Sequence, residues 1–172
     1  MKVIVAIDQT EYARQILDAV IARRWPADTT FRILTVLEPL HWERVVSSEW
    51  NKLSLELAAA RRRKADEVLS EARKKVQKAL ADCPVHVELR EGSAREEIVT
   101  AAVEWMADKI VLGAHGRAPN RLLRATVAGS VAKHAPCTVE LVRLKEIAEA
   151  ASRPAVAASQ ADSSSCASKS PS

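Results

Sequence analysis

Lys109–Arg143 reads KIVLGAHGRAPNRLLRATVAGSVAKHAPCTVELVR and holds three of the four glycines in the chain. Ile110, Val111 and Leu112 form a short apolar run of the kind that fits a strand buried on both faces of a sheet. Gly113 is expected to end that strand and open a loop. Lacking a Cβ, Gly113 and Gly116 can turn sharply, adopt positive φ and bring backbone N–H groups close to an anion. A helix should follow, and its free N-terminal N–H groups and dipole would favour a phosphate there. Thr138–Arg143 then closes the stretch as a further strand.

Neither GxGxxG nor GxxxxGK[ST] occurs in the chain, which sets aside the two best-known phosphate loops. GxxG alone is a weak motif, so its context has to carry the argument. VLGAHGR, RLLRATV and KHAPCTVELVR together resemble the C-terminal signature of the universal stress protein family. That signature reads V-L-G-[ST]-H-G-R, a short spacer, G-[ST]-V, and H-A-P-C-P-V before a last strand. REGSAREEIVTAAVEWMADKIVLGAHG is similar to the family segment leading into the same loop. The opening strand, KVIVAID, resembles the family's V-A-x-D-G-S, with Gln9 and Thr10 in place of its last two residues.

The resemblance implies a doubly wound, open, parallel five-stranded sheet with strand order 3-2-1-4-5 and helices on both faces, the adenine nucleotide alpha hydrolase-like arrangement. It also implies a site for ATP or another adenine nucleotide, formed by Asp8, the backbone at Val36, Gly113, His115, Gly116, Arg117, Ala125 and Thr126. Asp8 would lie near the adenosine, and the Val36 backbone would bond the adenine edge while its side chain stays in the core. Anchoring the comparison on His134-Ala135-Pro136-Cys137 puts Ala125 where the ATP-binding branch has its third glycine, and Thr126 at the hydroxyl position. Eight residues separate Gly116 from Ala125, one fewer than in that branch. If this position needs φ > 0, alanine costs roughly 1–2 kcal/mol in strain, about ten- to thirty-fold in affinity. ATP is therefore expected to bind weakly. Gly129-Ser130 reads as structural, a small pair inside the helix that allows close packing on the sheet.

The 172 residues fit one ordinary domain, and 48% apolar with 28% charged residues describes a soluble globular protein. No run of about 18 apolar residues occurs, and MKVIVAIDQT lacks the apolar core and cleavage site of a secretory signal. A cytoplasmic protein without a membrane partner is expected. Cys83, Cys137 and Cys166 are an odd, widely spaced set and read as free thiols. The net charge of +4 is small, and Phe31 and Tyr12 are the only Phe and Tyr, so a nucleic-acid partner is not indicated. His41, His86, His115 and His134 show no metal-ligand spacing.

In chain order, Lys2–Asp8 is a β-branched apolar run ending on an acid, at the edge where open α/β sheets bind ligands. The alternative for Asp8 or Thr10 is to cap the next helix. That helix is expected from Glu11 to about Arg24, with Ala13, Ile16, Leu17, Val20 and Ile21 on one face. Phe31–Leu37 is a second strand. Glu49–Ala81 reads as one long or broken helix, its stripe formed by Leu53, Leu57, Ala60, Lys64, Val68, Ala72, Val76 and Leu80. Val85–Glu91 alternates like a strand. Ser93 with Glu96 is a capping-box pattern for a helix over Ala94–Met106.

Residues 1–144 thus form the expected domain, and 145–172 a short helical extension and an Ala/Ser-rich tail too poor in apolar pattern to order itself. The open edge of the last strand predicts a homodimer, since pairing would satisfy its free N–H and C=O groups. Three functions remain in view: a regulatory nucleotide-binding module, a nucleotide-independent dimeric interaction module, and an enzyme such as an ATPase. The enzyme is the weakest, because His115, Arg117 and Arg121 have no evident carboxylate partner.

Overall fold

The computed structural model describes residues 1–39, 48–115 and 126–144, with the backbone alone for residues 48–53 and 115. The elements are β1 (Lys2–Ala6), α1 (Tyr12–Ile21), β2 (Thr30–Leu37), α2 (Ser48–Ala79), β3 (Val85–Glu91), α3 (Ala94–Trp105), β4 (Lys109–His115), α4 (Val127–His134) and β5 (Thr138–Leu144). All five strands are parallel, in the order β3-β2-β1-β4-β5. The sequence pattern of strands separated by helices predicts a parallel sheet with helices on both faces, because each right-handed crossover lays a helix on one face or the other, and the strand order is the one the family resemblance implies.

Alternation along the strands divides the core in two. Val3, Val5, Phe31, Ile33 and Val111 face α1 and α2, where they meet Ile16, Leu17, Val20, Leu69, Ala72 and Val76. Ile4, Ala6, Leu34, Ile110 and Leu112 face α3 and α4, against Ile98, Ala101, Ala102, Ala128 and Val131. Ile4, Val5, Ile110 and Val111 are all 0–1% exposed, as expected of unbroken apolar runs in central strands. Chain entry into β2 on one side of β1 and into β4 on the other puts the switch point at the C-terminal ends of β1 and β4.

Four expectations are corrected. β4 does not stop at Gly113 but continues to His115, which pairs with Leu144. α1 ends at Ile21, not Arg24, because the Trp25 indole N–H folds back onto the Val20 carbonyl at 2.8 Å and its ring meets Phe31 edge-on at 5.1 Å. The buried stripe of α2 is Ala65, Leu69, Ala72 and Val76, while Leu57 and Ala60 are exposed. The reason is length: 32 residues at about 1.5 Å each outrun strands of eight residues or fewer at about 3.3 Å each, so the helix continues past the sheet. Ser93 is the N-cap of α3 but makes no side-chain cap bond. The Ala94 N–H donates instead to the Glu38 carboxylate at 3.2 Å. Among the described residues, no helix is long and apolar enough to cross a membrane.

Candidate functional site

At the C-terminal ends of β1, β2 and β4 lies a cavity of about 260 Å³, walled by the N-terminal turns of α1, α3 and α4. Asp8 reaches it because the chain beyond β1 is kept in line: Ile7 N–H donates to the Leu34 carbonyl at 2.9 Å and Thr35 Oγ1 donates to the Ile7 carbonyl at 3.1 Å. Asp8 Oδ1 then accepts from the Thr10 N–H at 3.1 Å and the Thr10 hydroxyl at 2.5 Å. Thr10 Oγ1 in turn accepts from the Tyr12 N–H at 3.3 Å, at the first residue of α1. Thr10 thus holds the first N–H of α1, while the N-cap itself, Glu11, makes no side-chain cap bond; Asp8 closes the turn onto Thr10 and lines the cavity.

Val36 is placed by strand length. The β1–β2 ladder ends at Ala6↔Leu34, while β2 continues beside β3 to Leu37, so Val36 stands past the end of β1. Its side chain is half-buried and lines the cavity instead of belonging only to the core. Gly113 also lines it, but as a strand residue paired with Val142. It has no positive φ; among the described glycines only Gly92 does. A Cβ on Gly113 would lie 2.8 Å from Leu144 Cδ1 and 3.0 Å from Ile16 Cδ1. What this position demands is close packing between α1 and β5, not an unusual backbone angle.

Thr126 is the N-cap of α4, with an extended backbone, and its hydroxyl accepts from the Gly129 N–H at 3.1 Å. Gly129 and Ser130 thus occupy the first turn of α4, not its interior; the Ser130 N–H donates to the Thr126 carbonyl at 3.0 Å. Side-chain capping and the helix dipole together make this end of the cavity favourable to negative charge. Asp8, Val36, Gly113 and Thr126 are therefore gathered around one space. Gly116, Arg117 and Ala125 lie outside the described residues, as does the side chain of His115.

Sequence reading missed Tyr12, Ile16, Ala94, Ile98 and Leu144, which line the walls together with the strand ends and the first turn of α4. Ile16 and Ile98 sit on periodic apolar faces, and periodicity assigns such residues to the core without saying which end of the core is hollow. Tyr12 was the one available signal, an amphipathic ring in the first turn of the helix leaving β1. A mostly apolar lining with a carboxylate at one point and a capped helix N-terminus at another suits a flat ring bearing an anionic group. Among the described residues, no group of three or more His, Cys, Asp or Glu side chains is placed to hold a metal ion.

An open parallel sheet with a cavity at its switch point places the chain in the doubly wound α/β class, whose ligands bind at that point. Residues 1–143 match the universal stress protein family, and the chain belongs to it. No curated protein matches the chain significantly. Among solved structures, universal stress protein UspA from Lactobacillus plantarum is 22% identical with a TM-score of 0.66, over 83% of this chain and 97% of that one. A universal stress protein in complex with cAMP is 19% identical with a TM-score of 0.62, over 84% and 98% of the two chains. A family protein from Arabidopsis thaliana with AMP bound is 16% identical with a TM-score of 0.63, over 84% and 92%. At these identities the likeness speaks for the fold.

Proposed function

We propose that this chain is a stress-response regulatory module that binds an adenine nucleotide in the cavity at the switch point, and binds ATP weakly. The observation that carries the reading is the convergence of Asp8, Val36, Gly113 and Thr126 on one cavity. In this reading Asp8 lies beside the adenosine, the free strand edge at Val36 meets the base, and the N-terminus of α4 faces the phosphate. His115, Gly116, Arg117 and Ala125 join the proposal through the sequence pattern. The described walls enclose about 260 Å³, near the lower end of the range for ligand pockets, and a monophosphate is the nucleotide proposed. The family relatives with cAMP and AMP support the same choice. The site is assigned binding, not turnover, and the module is placed in the cytoplasm.

Mass spectrometry of the purified, denatured protein should reveal a co-purified adenine nucleotide, and calorimetry should show AMP binding more tightly than ATP. Ala125→Gly should raise ATP affinity by about ten- to thirty-fold. No co-purified nucleotide, together with no heat from AMP, cAMP or ATP at millimolar concentration, would sink the reading.

A second reading, a nucleotide-independent dimeric interaction module, is favoured by the edge of the sheet. β5 ends the strand order, and Leu141 on it is 40% exposed. Two-fold antiparallel pairing of β5 with its copy would satisfy the edge and cover Leu141. Val142→Pro removes a ladder donor and should raise the monomer fraction in sedimentation. A wild-type protein that stays monomeric at high concentration refutes the pairing.

A further inference from the structure

β3 opens the strand order and has a neighbour only in β2. The Phe31 N–H donates to the Pro84 carbonyl at 2.8 Å and the Gly92 N–H to the Leu37 carbonyl at 3.0 Å. Backbone groups alternate in direction along a strand. Between those two bonds the groups of His86, Glu88 and Arg90 therefore point to β2, and those of Val85, Val87, Leu89 and Glu91 point outward. On the face toward α2 this edge carries Val85, Val87 and Leu89, and Val87 is 38% exposed. A straight edge with an apolar face is a template for another strand.

α2 shows which strand fits. Arg62 pairs with Glu91 at 2.6 Å, and Gln77 Nε2 donates to the Cys83 carbonyl at 3.4 Å. These contacts tie helix to strand at both ends, and their midpoints coincide: the step between Leu69 and Ser70 lies level with Val87. By helical spacing Arg62, Asp66, Arg73 and Gln77 share one flank, while Lys75, which pairs with Asp18 of α1, lies on the other. The flank beside the open edge thus carries Asp66 and Arg73, placed symmetrically about the level of Val87. Both are exposed, and among the described residues neither is paired.

A two-fold axis at Val87 serves the strand and the helix together. Val87 exchanges both backbone bonds with its copy, Val85 stands opposite Leu89 on the apolar face, and His86 stands opposite Glu88 on the other. α2 packs on β2 and β3 alike. With strands about 4.8 Å apart, the two α2 axes come about 10 Å apart, the spacing of packed helices. Asp66 of each copy then faces Arg73 of the other. Neighbouring registers oppose like charges: an axis at Glu88 sets two carboxylates face to face, and one at Leu89 shifts the helix level by about four residues and brings Asp66 toward its own copy. We infer that β3 and the outer flank of α2 form an interface for a second copy of this chain, continuing the sheet across a two-fold axis at Val87. It is separate from the pairing considered for β5 and independent of the nucleotide site.

Sedimentation of the full chain over a range of concentrations tests the inference, beside Val87→Pro, Asp66→Arg and the double variant Asp66→Arg/Arg73→Asp. The Val87 N–H lies outside the β2 ladder, so proline should leave the fold intact by circular dichroism while abolishing this association. Asp66→Arg sets arginine against arginine at both symmetric contacts and should raise the dissociation constant about tenfold or more at low salt. Exchanging the charges in the double variant should bring it back to within about threefold of wild type. A wild type that stays monomeric at high concentration overturns the interface. Association that either Val87→Pro or Asp66→Arg leaves unchanged overturns it too, because the contact then lies elsewhere. A defect in Asp66→Arg that the double variant fails to restore also refutes it, since the two charges then do not face each other.

Discussion

At the N-terminal rim of the sheet the strand ends are tied to one another and packed over by aromatic rings, whereas at the C-terminal rim local turns and contacts between elements surround a cavity. On the first rim the Lys2 N–H donates to Asp108 Oδ2 at 2.7 Å and the Asp108 N–H returns a bond to the Lys2 carbonyl at 2.9 Å. Lys2 Nζ reaches the Trp105 carbonyl at 3.1 Å, and Lys109 Nζ lies 5.5 Å over the Trp25 ring. Arg23 and Lys109 both pair with Glu140. On the second rim Asp8 bonds Thr10 and Thr126 bonds Gly129, each within three residues. One end of the sheet is closed by packing and paired backbone groups, and the other leaves a cavity. Exposed ion pairs count for little in this comparison; buried aromatic packing and paired backbone groups decide it.

Phe31→Ala breaks the comparison most severely. Phe31 is fully buried between Val3 and Val85 in the strand register, with Trp25 against its ring. Removing a buried phenylalanine costs about 3–5 kcal/mol, to be read from urea unfolding. AMP affinity of the folded fraction should stay unchanged, because the cavity is at the other end of the strands. A stability loss under about 1 kcal/mol, or a large loss of affinity in folded protein, would show that the rims are not divided in this way.

Much of this architecture is legible in the sequence. Val85–Glu91 was expected as a strand and is one, since its alternation matches a half-solvated edge. The apolar runs at residues 2–7 and 110–112 identify the central strands. Helix ends were less legible, because they depend on distant partners: Trp25 ends α1 by packing on Phe31, and Glu38 caps α3 from 56 residues away. A capping-box pattern cannot reveal that another carboxylate has taken its place. Of the cavity walls, Asp8, Val36, Gly113 and Thr126 are named by the family resemblance, whereas Tyr12 and Leu144 become wall residues only once the helices are laid on the sheet.

Thr126→Ala sharpens the comparison on the hollow rim. It removes the acceptor of the Gly129 N–H and should lower stability by about 0.5–2 kcal/mol. AMP affinity should fall by about tenfold, since the capped turn and the anion end of the cavity are the same structure. Thr126→Ser should restore both. If the alanine variant lowers stability without affecting affinity, α4 does not face the ligand.

The smallest expected effect concerns the thiols, which report on the closed rim without altering the fold. Cys83 and Cys137 immediately precede the Pro84–β3 and β5 entries on that rim, Cys83 buried and Cys137 partly so. Burial, with a smaller contribution from Asp82, pushes the Cys83 thiol above its ordinary range, and burial, then Asp108, does the same for Cys137. A raised value means less thiolate at neutral pH, so both should react slowly there and faster as pH rises. The sign for stability follows: the protonated thiol favours the folded state, a contribution complete below the ordinary thiol range and lost as pH rises through the raised values. At pH 8, labelling by a small disulfide reagent should be slower at Cys83 than at Cys137, because access adds to the effect of the proton. Cys166, read from sequence as part of a solvated tail, should react first. Saturating AMP should change neither Cys83 nor Cys137, because the proposed ligand site lies at the opposite ends of the strands. Severalfold protection of either by AMP would show that the closed rim opens when the cavity empties, and the two ends of the sheet would then have to be treated as one coupled unit.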